Sequence, residues 1–215
     1  TPVLWARLAG RFHRQSARSE RAHGDGLAIN EDSPEAFEEV LWQKYYPHKY
    51  GNRIGLWHSK DADAAFTRFF HRHMQKIVAL RQPRHLADGR YVSKNNGNIA
   101  RVELLHSLFP DAGIIVPLRH PVEHALSLWR QHDNFTGQHA ADPFVKKYMA
   151  DIGHFEFGAL HRPVDFPGLD GLRGDSGPDS LDYWLAYWIS AFQHRSAQQG
   201  IDFISYEALC TGADR

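Results

Sequence analysis

The stretch that decides the fold class is AGIIVPLRHPVEHALSLWRQH, residues 112–132. Its first part, IIVPL at 114–118, is an unbroken apolar run, which is typical of a strand buried on both faces of a sheet. From Pro121 onward the apolar residues recur at helical spacing, and proline is favoured in the first turn of a helix. The stretch therefore predicts a buried strand that leads directly into a helix, although Pro117 lacks an N–H and weakens the strand assignment.

The segments before and after this stretch extend the same pattern. RYVSK at 90–94 predicts a short strand, a helix is predicted over 98–109, and IDFISYE at 201–207 predicts a last strand. The order strand, helix, strand, helix over 90–131 implies a right-handed crossover and parallel pairing. We therefore expect an α/β fold with a parallel sheet.

The remaining sequence predicts a single domain over 1–215, in which helices surround that sheet. Further helical patterns lie at 2–22, from Asp32 or Ser33 to Tyr45, and at 62–80, 143–157 and 180–199. Glycines interrupt the helical pattern at 23–31, and four glycines and three prolines do so at 160–180. We expect a loop at 23–31 and a flexible surface loop at 160–180.

Composition narrows the classes of function. Lys plus Arg and Asp plus Glu balance at 25 each, which disfavours a polyanionic partner such as nucleic acid. Cys210 is the one cysteine, so an intrachain disulfide and a thiolate zinc cluster are excluded. No metal is expected, because His71 and His73 have the wrong helical spacing for one ion. No apolar run is long enough for a membrane span and no signal peptide is visible, so the expected location is cytoplasmic.

Polar residues follow the ends of the two predicted strands. Arg119 comes directly after the strand at 114–118, and Lys94 ends the strand at 90–94. Ser127 lies about two turns into the following helix. Ligands of parallel sheets bind beyond the carboxyl ends of strands, and the guanidinium fork matches two phosphate oxygens. From the spacing alone, a phosphate site and a pair between Arg119 and a carboxylate at the sheet edge both remain open.

The stretch IIVPLRHPVEHALSLWRQH resembles the 3′-phosphate-binding segment of the sulfotransferases that use 3′-phosphoadenosine 5′-phosphosulfate. In that family a strand ends in Arg-x-Pro and a serine follows eight residues after the arginine, which is the spacing of Arg119 and Ser127. YVSKNNGNIARVELLHSLFPDAGII and DFISYEALC are similar to further family segments. The resemblance implies a three-layer sandwich like that of P-loop NTPases, with a central parallel sheet, and a donor 3′-phosphate held by Arg119 and Ser127.

The chain also departs from the family pattern. The family grips the 5′-phosphosulfate with a P-loop-like segment rich in Gly, Ser and Thr, and it has a glycine-rich loop after the last strand; neither is found in this sequence. We expect that residue 1 follows the P-loop strand, that residue 215 precedes the later loop, and that transfer by this chain is impaired.

The catalytic base of the family lies between those two phosphate-binding segments and is a histidine or a glutamate. In this chain the resemblance implies His23, with Glu31 and Glu35 as alternatives, although His23, one of fifteen histidines, also fits an ordinary loop residue and Glu35 fits a helix-capping residue. Lys94 is expected to touch the donor or the acceptor, or to be a solvated lysine. Arg101 is expected to form a surface salt bridge.

The function that this resemblance implies is transfer of a sulfuryl group from the phosphosulfate donor to a hydroxyl or amine. The acceptor can be a small molecule, a glycan or a peptide, and the sequence does not name it. Two alternatives remain: a non-catalytic module that binds a nucleotide or an anionic glycan, and a relative of the P-loop kinases. The second is disfavoured because no magnesium-binding aspartate follows an apolar strand.

Overall fold

The computed structural model describes residues 19–20, 28–29, 38–81 and 89–212. Within these ranges the chain forms eight helices and four strands. In chain order they are β1 (Ser19–Glu20), β2 (Ala28–Ile29), α1 (Glu38–Tyr45), α2 (Ala64–Arg81), α3 (Val102–Leu108), β3 (Ile114–Leu118), α4 (Pro121–Ala141), α5 (Pro143–Ile152), α6 (Leu169–Arg173), α7 (Leu181–Ser196), β4 (Ile201–Ser205) and α8 (Tyr206–Thr211).

The two strands predicted at 114–118 and 201–207 form a parallel pair, and the second ends two residues early because α8 follows it. Ile114 lies opposite Ile201 and Leu118 lies opposite Ser205, so β3 and β4 end side by side. Pro117 is accommodated because the sheet has two strands among the described residues, which leaves β3 a free edge that needs no proline N–H. The mixed architecture with a small parallel sheet is compatible with the α/β class, and the three-layer sandwich stays a prediction. The predicted burial of the strand on both faces is wrong for the described chain, because three of the five residues of β3 are exposed.

The strand predicted at 90–94 is wrong for the described chain, and so is its pairing with β3. Residues 89–95 have an irregular backbone with no ladder among the described residues, and β3 pairs with β4 instead. Alternate side chains of this segment are anchored by carboxylates of α1: Glu38 accepts hydrogen bonds from Tyr91 and Ser93. Hydrogen bonds from its side chains, rather than a backbone ladder, therefore fix the segment that was predicted as a strand.

Most helix predictions are confirmed with shifted ends. The region predicted as one helix over 98–109 forms a 3-10 turn, Asn96–Ala100, and then α3. Arg101 separates the two, because its φ of −129° is not helical. The helix predicted over 143–157 ends at Ile152, where Gly153 adopts φ 82°, a left-handed conformation that glycine tolerates best.

The predictions near the amino terminus need a correction. Ser19–Glu20 and Ala28–Ile29 pair as a short antiparallel ladder. The predicted helix over 2–22 therefore does not continue through its last turn, and the predicted loop over 23–31 contains a strand. The remainder of both predictions lies outside the described residues.

The main core is aromatic. Trp42 of α1 lies 4.4 Å from Phe66 of α2 between ring centroids, and Trp57 meets Trp42 edge to face at 6.3 Å. A second cluster joins α4 to α7 through Ala125, Tyr183 and Trp184. The first half of α4, which begins close after β3, is therefore held against α7.

The segment predicted as a surface loop at 160–180 contains the helix α6 and buried apolar side chains. Val164, Phe166 and Leu169 are almost fully buried. Arg53 also ties the segment down, through Asp165 at 2.9 Å. Much of the segment thus packs against the core, and its flexibility stays a prediction.

Candidate functional site

The candidate site lies where β3 passes into α4. Arg119 is the first residue after the strand, and His120 has φ −47° and ψ 126°, the extended geometry that a following proline imposes. Pro121 has no N–H, and the first backbone bond of the helix runs from the His124 N–H to the His120 carbonyl at 2.9 Å. The N–H groups in the first turn that follow Pro121 have no helical acceptor, so this turn of a 21-residue helix presents donors and the positive end of its dipole.

Arg119 is held loosely in this corner. Its guanidinium carbon lies 5.3 Å from the centroid of the Tyr206 ring, in cation–π geometry. Among the described residues its nearest carboxylate is that of Glu123, at 3.7 Å, which is beyond hydrogen-bonding distance. The Arg119 side chain is 32% exposed and forms no hydrogen bond to a residue that the structure describes. The guanidinium fork is therefore available to an external anion.

Ser127 lies on the same flank of α4 as the Arg119 guanidinium. Residues four apart share a helix face, so Ser127 lies one turn beyond Glu123, the residue that Arg119 approaches. Ser127 is partly buried, and its hydroxyl has no hydrogen-bond partner among the described residues. The structure thus brings two sequence-predicted site residues, Arg119 and Ser127, to one flank of the helix.

A histidine on the same helix is neutral. The Nδ1 atom of His124 accepts a hydrogen bond from the Trp188 indole N–H at 3.2 Å, so this nitrogen carries no proton. Burial, with a smaller contribution from the Arg119 charge, lowers the pKa of His124 below its ordinary value. Arg119 is therefore not accompanied by a second positive charge from His124 at neutral pH.

Lys94 lies in the irregular segment that α1 anchors. Tyr91 and Ser93 point toward Glu38, which is 3% exposed, and the residues between and beyond them point outward: Val92 is 86% exposed and Lys94 is also exposed. Lys94 forms no ion pair with a described residue and makes no described contact with the corner after β3. Lys94 is therefore exposed to solvent and makes no described contact with Arg119.

Asn95, at the end of this segment, shares its acceptor with a buried ion pair. Asn95 donates to Glu39 at 2.9 Å, and Arg101 donates to the same carboxylate at 2.5 Å. The Arg101 side chain is fully buried, and its guanidinium carbon lies 4.3 Å from the Trp42 ring and 5.1 Å from the Trp57 ring. The surface salt bridge expected for Arg101 is therefore wrong, because two tryptophans and α1 enclose it.

The three candidates for the catalytic base, His23, Glu31 and Glu35, lie outside the described residues. Over the described ranges no group of three or more His, Cys, Asp or Glu side chains is arranged to hold a metal ion. Over the same ranges no helix is long and apolar enough to cross a membrane.

Sequence reasoning missed the contribution of α8 to the site. Glu207 accepts a hydrogen bond from the backbone N–H of His120 at 2.8 Å, and Tyr206 stacks against Arg119. Ser205 caps this helix by accepting from the Ala208 N–H at 3.2 Å. A signal was present, since Tyr-Glu ends the last predicted strand, IDFISYE, and the ends of parallel strands lie side by side.

The comparisons with known proteins agree with this geometry. The model of the sulfotransferase family matches residues 12–162, which is more than half of the chain and includes β3, α4 and α5. The chain therefore belongs to the sulfotransferase family, as the resemblance in the sequence predicted, and the general class of activity is sulfuryl transfer. A search of curated proteins and a search of solved structures each returned no match.

Proposed function

We propose that this chain transfers a sulfuryl group from 3′-phosphoadenosine 5′-phosphosulfate to a hydroxyl or amine. The acceptor oxygen or nitrogen attacks the sulfur, and the bond between the sulfur and the 5′-phosphate oxygen breaks. A base takes the acceptor proton, and adenosine 3′,5′-bisphosphate leaves with the bonding electrons. The acceptor is a small molecule, a glycan or a peptide.

The observation that carries the proposal is the unsatisfied guanidinium of Arg119 at the start of α4. The alternative, a structural pair with a carboxylate, requires a close and preferably bidentate contact. The Glu123 carboxylate is 3.7 Å away and both side chains are partly exposed, which is a weak surface pair. A phosphate bound in this corner accepts hydrogen bonds from the Arg119 guanidinium, from the free N–H groups in the first turn of α4 and from the Ser127 hydroxyl.

The roles of the other candidates follow from the chemistry of the transfer. Lys94, exposed on its anchored segment, supplies a positive charge to the donor or the acceptor. His23 is our first candidate for the base, since a neutral imidazole accepts a proton at pH 7, and Glu31 and Glu35 are the alternatives.

Donor turnover tests this function. The chain is incubated with donor labelled in the sulfuryl group and with an alcohol, a phenol and an amine as acceptors, in the presence of EDTA. The proposal predicts labelled product and release of the bisphosphate at a low rate, because the sequence carries no recognisable 5′-phosphosulfate loop, and it predicts a still lower rate for Ser127→Ala. Binding of the donor without any product identifies a non-catalytic nucleotide-binding module instead. A parallel reaction with ATP labelled in its γ-phosphate tests the kinase alternative, which is favoured if the label reaches an acceptor only when Mg²⁺ is present.

A further inference from the structure

Helix α8 contacts the turn at 119–121, which we call the 119–121 corner, at two points. The Glu207 carboxylate accepts a hydrogen bond from the backbone N–H of His120 at 2.8 Å, and this bond joins residues 87 positions apart. The Tyr206 ring lies 5.3 Å from the guanidinium carbon of Arg119. Both contacts come from the first turn of a helix that lies outside the residues matched by the family model.

The parallel register explains why this contact forms. Leu118 and Ser205 are the last residues of β3 and β4 and lie opposite each other, so the chain leaves both strands at the same level. Ser205 then begins α8 by capping it, and its hydroxyl lies 3.3 Å from the second carboxylate oxygen of Glu207. The carboxylate is therefore oriented from one side by the cap and from the other by the N–H of His120.

Few other interactions define the direction of the Arg119 side chain. His120 provides no side-chain cap for α4, and Arg119 forms no hydrogen bond of its own with a described residue. The bond to the His120 N–H lowers the pKa of the Glu207 carboxyl below its ordinary value, so the carboxylate is ionised and is a strong acceptor at neutral pH. The peptide unit between Arg119 and His120 is thus fixed by Glu207.

We propose that Glu207 is a positioning residue for the 3′-phosphate. By holding the N–H of His120, it fixes the peptide from which Arg119 extends and aims the guanidinium at the flank of α4 that carries Ser127. Glu207 acts through the backbone and does not bind the phosphate, because a carboxylate repels that dianion. The inference rests on the proposed function and goes beyond it by giving α8 a role in recognition of the 3′-phosphate.

The test compares two ligands that differ only in the 3′-phosphate, adenosine 3′,5′-bisphosphate and adenosine 5′-phosphate. The ratio of their dissociation constants measures discrimination for the 3′-phosphate in the wild type, Glu207→Gln and Glu207→Ala. The amide of Glu207→Gln keeps a carbonyl oxygen that can accept from His120, whereas alanine keeps none. Asp182→Ala is the matched control, since Asp182 is likewise the second residue of a helix capped by a serine and does not touch the corner.

We expect Glu207→Ala to lower the discrimination ratio about five- to tenfold, which corresponds to the loss of one hydrogen bond. Glu207→Gln should retain most of the discrimination, and Asp182→Ala should retain all of it. A carboxylate that acted only as a repelling charge would give the opposite result, with tighter binding of the bisphosphate in both Glu207 variants. That result, or an unchanged ratio in Glu207→Ala, overturns the positioning role.

Hydrogen exchange of the His120 amide separates this inference from the proposed function, because it needs no ligand. If the His120 amide exchanges faster in Glu207→Ala than in Glu207→Gln, with the melting temperature unchanged, the result supports the claim that Glu207 fixes the 119–121 corner. Equal exchange in the two variants overturns it. A wild type that shows no discrimination for the 3′-phosphate refutes the proposed function, and the positioning role in recognition fails with it, whatever the exchange rates show about the corner.

Discussion

The buried pair between Arg101 and Glu39 gives the sharpest prediction about stability. The Arg101 guanidinium is fully buried and lies 2.5 Å from the Glu39 carboxylate, whose side chain is 13% exposed. A surface ion pair contributes about 0–1 kcal/mol, whereas removal of one partner from a buried pair costs about 3–5 kcal/mol. We therefore expect Arg101→Met to lower the free energy of unfolding by about 3–5 kcal/mol, a large part of the stability of an ordinary domain.

The assay is urea unfolding followed by circular dichroism, with a double-mutant cycle. Glu39→Gln and Arg101→Met are measured singly and together, and we expect a coupling free energy of about 1–3 kcal/mol, because removing both charges leaves neither one buried and unpaired. Lys147→Met is the matched control, since Lys147 pairs with Asp151 at 2.6 Å on the surface. A loss below about 1 kcal/mol for Arg101→Met, or additive single effects, refutes the reasoning.

Three further predictions follow from other contacts. Glu123→Gln should strengthen binding of adenosine 3′,5′-bisphosphate about two- to fivefold in low-salt calorimetry, because it removes the carboxylate beside Arg119, and unchanged affinity contradicts this. Burial lowers the pKa of His161 from 6.5 to about 4, so the unfolded chain binds more protons between these values and stability falls as the pH falls through that window, by roughly 3 kcal/mol. Urea midpoints measured across pH 4–7 should show this fall in the wild type and a shallower one in His161→Asn; identical pH profiles would rule out His161 as the source. Gly97→Ala should lower the melting temperature, because a Cβ atom there would lie 2.2 Å from the Arg101 guanidinium; an unchanged melting temperature would show that the buried arginine can move aside.

The β3–α4 unit could be predicted from the sequence because its signals are local. An unbroken apolar run and a proline in the first helical turn define a strand and a helix without reference to the rest of the chain. Arg119 and Ser127 were taken from the same local stretch, and their shared role in phosphate binding stays a prediction. Parallel pairing was also predicted, but the partner strand was wrong.

The pairing error and the burial of Arg101 have the same physical origin. The segment at 90–94 was predicted as a strand, but Tyr91 and Ser93 donate hydrogen bonds to Glu38 of α1, which lies 53 and 55 residues earlier in the sequence. Arg101 is likewise enclosed by Trp42 and Trp57, which periodicity within α3 does not indicate. Such long-range partners are set by tertiary packing, and local patterns carry no information about them.

The contribution of α8 was missed for a further reason. Tyr206 and Glu207 contact the 119–121 corner because β3 and β4 end at the same level. Predicting this contact requires the register of the two strands as well as their presence. The candidates for the base, His23, Glu31 and Glu35, stay predictions from family resemblance, since they lie outside the described residues.

The central claim is that Arg119 binds the 3′-phosphate, and calorimetry with adenosine 3′,5′-bisphosphate tests it most directly. The wild type is compared with Arg119→Ala and with Arg130→Ala, which removes the same charge from an exposed position farther along α4. The account predicts that Arg119→Ala weakens binding roughly 10- to 150-fold while Arg130→Ala changes it by less than about twofold. Equal affinities for the wild type and Arg119→Ala, or no binding by the wild type, would contradict it.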